Sequence, residues 1–131
     1  MTLAHALYLK RKRLRLQQEV RAFDALVASP FDLGSAAAGS ALPNTFALPH
    51  NGRFAVSASA GVQQGDLLIA FGARIVSTRS LAADELYRLH YFERDRLVEL
   101  SSDPGCPACD VTLYLLDERF KAFPIATGSV T

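Results

Sequence analysis

Charge of one sign is scarce in this chain. Fourteen lysines and arginines meet thirteen aspartates and glutamates, a net charge of +1 over 131 residues. A strongly basic nucleic-acid coat and an acidic solvating protein are both excluded, because each needs a large single-sign field. Cysteine is scarcer still: Cys106 and Cys109 are the only two, and a pair so close in sequence staples almost no chain. That excludes a disulfide framework and fits a reducing compartment. No run approaches the ~18 apolar residues that a membrane-spanning helix needs. The apolar start, Met1 to Leu9, precedes its basic cluster instead of following it, the wrong order for a signal peptide, so a soluble, cytoplasmic protein is expected. A glycine-rich phosphate loop, an H-E-x-x-H zinc motif and a G-x-S-x-G nucleophile elbow are also missing. No bound nucleotide is therefore expected, and a non-enzymatic role is favoured over an enzymatic one.

What is present suits one ordinary globular domain, with 50% of residues apolar and 21% charged in 14.2 kDa. Residues 2–28 contain neither glycine nor proline and are rich in Leu, Ala, Arg, Lys and Gln, all good helix formers. Thr2 can cap the start, and Ser29-Pro30 ends the segment, because a residue before proline is pushed out of the helical region. Leu9, Leu16, Val20, Phe23 and Val27 share one stripe, which must pack on the body or on a second copy. The spacing predicts a long N-terminal amphipathic helix over 1–29. Pro30, Pro43, Pro49 and the small-residue tract Gly34 to Ser40 predict a flexible connection over 30–53.

Residues 54–131 are expected to form a small body. Phe54, Val56 and Ala58 alternate as a strand would, and 66–71 is strand-length, yet 57–71 also fits a helix capped by Gly72. Periodicity leaves the two open. Glu85 to Phe92 and Arg96 to Leu100 flank a short charged turn and predict an antiparallel hairpin. Val111, Leu113 and Leu115 predict a further strand, although Leu113, Leu116 and Phe120 also satisfy helical spacing. The small, polar tail after Pro124 is expected to fray. The expected fold class is α+β: the long N-terminal helix, then a mainly antiparallel sheet with a central hairpin near 85–100.

The small net charge hides an asymmetry. Lys10, Arg11, Lys12, Arg13, Arg15 and Arg21 face only Glu19 and Asp24 within residues 1–28, giving +4, while eight bases and eleven acids in the remainder give −3. A basic arm on a mildly acidic body follows. Lys10, Arg11, Lys12, Arg13 and Arg15 are the candidate binding residues, for nucleic-acid phosphates or an acidic partner, and the plainer reading is a solvated helix face.

One motif carries chemistry. Asp103-Pro104-Gly105-Cys106-Pro107-Ala108-Cys109 is a C-x-x-C knuckle in a tight turn, able to bring two thiolates onto one metal. That is half a tetrahedral zinc site, so a bound zinc would recruit His50, the loop histidine, or bridge two chains. A redox pair wants one thiol at a helix N-terminus, whereas a strand follows here. An inert pair, metal ligands and a redox dithiol all stay open, with a structural role favoured.

The order of a possible helix with Gln63-Gln64 and a closing Gly72, then Leu86-Tyr-Arg-Leu-His-Tyr, then Arg96-Leu-Val-Glu-Leu, then the Cys106 knuckle, resembles the C-terminal part of ThiF/MoeB/HesA proteins, the ubiquitin-activating-enzyme-like adenylyltransferases. The resemblance covers about 54–110. It implies a cross-over helix, a hairpin and Cys106 and Cys109 as structural zinc ligands. The family's earlier cysteine pair and its nucleotide loop are absent, so no adenylation site carries over. The functions to weigh are a non-catalytic binding or assembly module, whose helix meets a protein partner or a second copy, a detached partner module of a ThiF-like enzyme, and nucleic-acid or acidic-partner binding through the basic helix.

Overall fold

Val111, Leu113 and Leu115 are buried while Asp110, Thr112 and Tyr114 between them face outward, and this period of two makes Cys109–Leu116 a strand. The computed structural model of the chain describes the backbone of residues 2–49 and 51–131, and the side chains of the same residues except 15–23, 90 and 91. Its elements are α1 (Leu3–Ala28), β1 (Phe31–Ala36), β2 (Phe46–Ala47), β3 (Gly52–Ala58), β4 (Leu67–Phe71), β5 (Arg74–Ser77), β6 (Tyr87–Phe92), β7 (Leu97–Ser102), β8 (Cys109–Leu116) and β9 (Ala122–Val130). Among the described residues the strands make one sheet of order β1-β9-β8-β3-β6 and another of order β2-β7-β4-β5. β1 runs parallel to β9, and the other pairings are antiparallel.

The core lies between the sheets. Phe54 on β3 meets Phe71 on β4 at 5.8 Å between centroids, and Phe71 stacks on Phe92 at 3.8 Å. Leu33, Leu48, Leu67, Ile69, Val98 and Ile125 complete its most buried layer. Phe-to-Phe packing of this kind adds to area burial, which makes the inter-sheet contact the main source of stability.

The α+β expectation is overturned, because the fold is mostly β. Residues 3–14 of α1 are exposed throughout, Leu9 included at 37%, so no buried stripe forms there. Among its described side chains, Leu26 and Val27 are the ones packed against the core. Leu16, Val20 and Phe23 of the expected stripe lie outside the described side chains.

The expected hairpin near 85–100 is also corrected. Both strands form, but β6 pairs with β3 in one sheet and β7 with β4 and β2 in the other. The chain crosses between sheets because residues 48–51 intervene: Asp95 N–H donates to Leu48 O at 2.8 Å, Leu48 N–H to Arg96 O at 3.0 Å, and Arg94 N–H to Asn51 Oδ1 at 2.6 Å. Residues 57–71, which the resemblance implies as a helix, are the end of β3, a turn through Gln63-Gln64, and β4.

Two segments expected to be loose are built into the body. The 30–53 connection contains β1, β2 and the start of β3, with Leu33, Leu42, Phe46 and Leu48 in the core. The tail is β9, hydrogen-bonded between β1 and β8. Its small residues are a packing requirement: a Cβ on Gly128 would stand 2.5 Å from Leu42 Cδ1 and 3.0 Å from Leu33 Cβ. Pro124 sits where the β8–β9 register shifts, one of the few places a sheet accepts a proline.

Candidate functional site

The cysteine knuckle is held by its first residue. Asp103 Oδ2 accepts the Gly105 N–H at 3.0 Å, and its carbonyl accepts Cys106 N–H at 2.9 Å, closing a tight turn before β8. Two distant loops fasten it. Asp103 N–H donates to the carbonyl of Asp66 at 2.8 Å, and Gly39 N–H reaches Ser102 Oγ at 3.3 Å while its backbone abuts Pro104. Under this cover Cys106 and Cys109 are 6% and 7% exposed, both free, and both in the hydrophobic core.

That setting decides the chemistry. Burial, then the neighbouring Cys109 and Asp66, push the Cys106 thiol up to about 12, and burial also raises Cys109. Both are thiols near neutral pH, whereas metal ligands and attacking nucleophiles are thiolates. The zinc expectation is corrected accordingly: with only two cysteines and no disulfide, the described residues hold no group of three or more His, Cys, Asp or Glu able to bind a metal ion. His50, named as a further ligand, lies outside the described residues.

The basic run is placed differently. Lys10, Arg11, Lys12 and Arg13 are exposed on α1, and the side chain of Arg15 lies outside the described ones. Consecutive helical residues are turned about 100° from one another, so four in a row form a collar around the helix and not a patch on one face. Leu3, Leu7, Tyr8 and Leu14 stand in the same exposed stretch at 78%, 46%, 59% and 50%. Thr2 caps the helix as expected, its hydroxyl accepting His5 N–H at 3.1 Å.

A polar groove of about 400 Å³ that no sequence motif announced crosses the outer face of β1, β9 and β8. Asp32 and Ser35 line one wall, Asp110 and Thr112 the other, with Thr127 and Ser129 between them. Its carboxylates are engaged locally: Asp32 Oδ1 accepts Gly34 N–H and Asp110 Oδ1 accepts the Ser129 hydroxyl, each at 2.8 Å. Ser129 and Asp110 without an imidazole do not make a nucleophile and base. No local signal could have found this groove, since the parallel β1–β9 pairing assembles it from residues nearly a hundred positions apart.

In comparisons with known proteins, no family model, curated protein or solved structure matches the chain. Among the described residues no helix is long and apolar enough to cross a membrane.

Proposed function

We propose that the chain is a non-catalytic assembly module whose N-terminal helix docks on the body of a second copy. The observation that carries this is the exposure of α1 over residues 3–14, where four large apolar side chains stand in water beside Lys10 to Arg13. Burying such groups is worth roughly 25 cal/mol per Å² of apolar surface, so a partner surface is the state that recovers it. The occupant follows from charge. The helix segment carries +4 and the remainder −3, so the arm of one copy and the body of another attract, while two arms repel. The anchor is sound, since Leu26 and Val27 pack on the core and hold the C-terminal end of α1 to the body.

Sedimentation equilibrium over a concentration series tests the proposal. A mass that rises with concentration, falls back in high salt and stays monomeric in the Leu7→Ser/Leu14→Ser variant is expected. A monomer at every concentration overturns self-docking, and unchanged association in the variant overturns the role of the helix.

A further inference from the structure

We propose that Arg53, Arg88 and Phe120 form an oxyanion site that takes a phosphate group, free or carried on an ester. The juxtaposition spans three elements. Arg53 lies on β3 and Arg88 on β6, both on the outer face, and Phe120 sits in the turn between β8 and β9. The guanidinium carbons stand over the same ring, 5.4 Å from its centroid for Arg53 and 4.6 Å for Arg88. Two like charges are thereby held together on one aromatic support, an arrangement that costs repulsion unless an anion completes it.

Nothing on the protein completes it. Among the described residues the ion pairs are Arg79 with Glu85, Arg94 with Asp95 and Arg96 with Glu93, and neither Arg53 nor Arg88 has a carboxylate partner. The acids of the adjoining turn do not supply one. Asp117 Oδ1 is taken by the N–H groups of Arg119 and Lys121, each at 2.8 Å, and Glu118 is one exposed carboxylate among four bases. The ring itself is held in an unusual place: Phe120 has φ 61°, a left-handed conformation that bulky residues rarely adopt, and stays 40% exposed. A turn needing only that backbone would favour glycine or asparagine.

The ligand class follows from what is left free. The faces of the phenyl ring are used by the guanidinium groups, so a nucleobase has no open face to stack on. The guanidinium edges remain, presenting planar forks of N–H donors, and a dianionic phosphate matches two forks in charge and geometry where a carboxylate fills one. The site does not depend on helix docking, because it lies wholly on the two-sheet body.

Titration of the full-length protein with inorganic phosphate and with glycerol 3-phosphate, followed by amide chemical shifts at constant ionic strength, tests it. Saturable shifts confined to Arg53, Arg88 and the 117–121 turn are expected, with a Kd of about 1 mM or below. Tighter binding of the ester would assign the site to phosphate esters, and equal or tighter binding of the free ion to inorganic phosphate. Arg53→Ala and Arg88→Ala should each raise Kd about tenfold or more, and Arg88→Lys should also weaken binding although its charge is kept. Both arginines are exposed, so thermal melts should show these variants folded. Shifts that fail to saturate, that acetate reproduces at the same concentration, or that survive in Arg53→Ala/Arg88→Ala would overturn the proposal.

Discussion

The turns at the two ends of β8 are built by the same device and put to opposite uses. Before the strand, Asp103 accepts Gly105 N–H with its side chain and Cys106 N–H with its carbonyl. After it, Asp117 accepts Arg119 and Lys121 N–H with its side chain and Phe120 N–H with its carbonyl at 3.0 Å. The third residue after the aspartate is Cys106 in one turn and Phe120 in the other. Cys106 is 6% exposed and Phe120 is 40% exposed. The backbone geometry does not set this difference. The Asp66 and Gly39 loops close over the first turn, while the second stands on the outer face beside two arginines. A reactive residue type under cover becomes packing, and an inert one in the open becomes a support for charge.

The largest expected effect breaks the comparison by moving a charge into each turn. Cys109→Lys would bury an ammonium with no carboxylate arranged to receive it, and should lower stability by at least about 3 kcal/mol. Phe120→Lys, at the exposed turn, should cost less than about 1 kcal/mol. Urea midpoints of the two variants check this, and similar losses would show that the turns are equally buried in solution.

A second test uses pH. Because the folded protein holds both thiols above their ordinary values, it favours their protonated forms. That contribution is complete below the unfolded thiol's value, about 8.5, and is lost as pH rises toward about 12, where Cys106 ionises in the folded state. The melting temperature of the native chain should fall more steeply across that window than that of Cys106→Ala/Cys109→Ala. Parallel curves would mean that the knuckle is open to water.

The two turns also differ in how far the sequence betrays them. Pro104-Gly105 beside two cysteines announces a tight turn, and the turn is there. Its burial was illegible, because the residues that cover it, Gly39 and Asp66, are 67 and 40 positions before Cys106. Alternation at Val111, Leu113 and Leu115 identified β8 for the same local reason. Alternation says that a strand exists and not which strand pairs with it, so β6 and β7 were joined as a hairpin although they belong to different sheets. Gly128 and Ser129 resembled a fraying end, since the demand for small residues comes from Leu42 and Leu33, far away in sequence. The Arg53, Arg88 and Phe120 cluster was invisible for the same reason: each residue alone is an ordinary surface residue, and only the β3–β6 pairing and the return from β8 bring them together.

The smallest effect sharpens the contrast at the second turn. Phe120 opposes two contributions. Its left-handed backbone costs roughly 1–2 kcal/mol relative to glycine, and its ring gains about 0.5–1 kcal/mol from each exposed cation–π contact. Phe120→Gly removes both, and the extra freedom of glycine in the unfolded chain offsets part of the relief. The single variant should therefore be close to neutral. In an Arg53→Ala/Arg88→Ala background the ring has no cations to support, so the same replacement should stabilise by about 0.5–1 kcal/mol. Strain relief and chain freedom enter both backgrounds equally, and the difference between the two measurements isolates what the ring does for the arginines. If Phe120→Gly shifts the thermal unfolding midpoint alike in both, the ring holds nothing, and the second turn is a turn only.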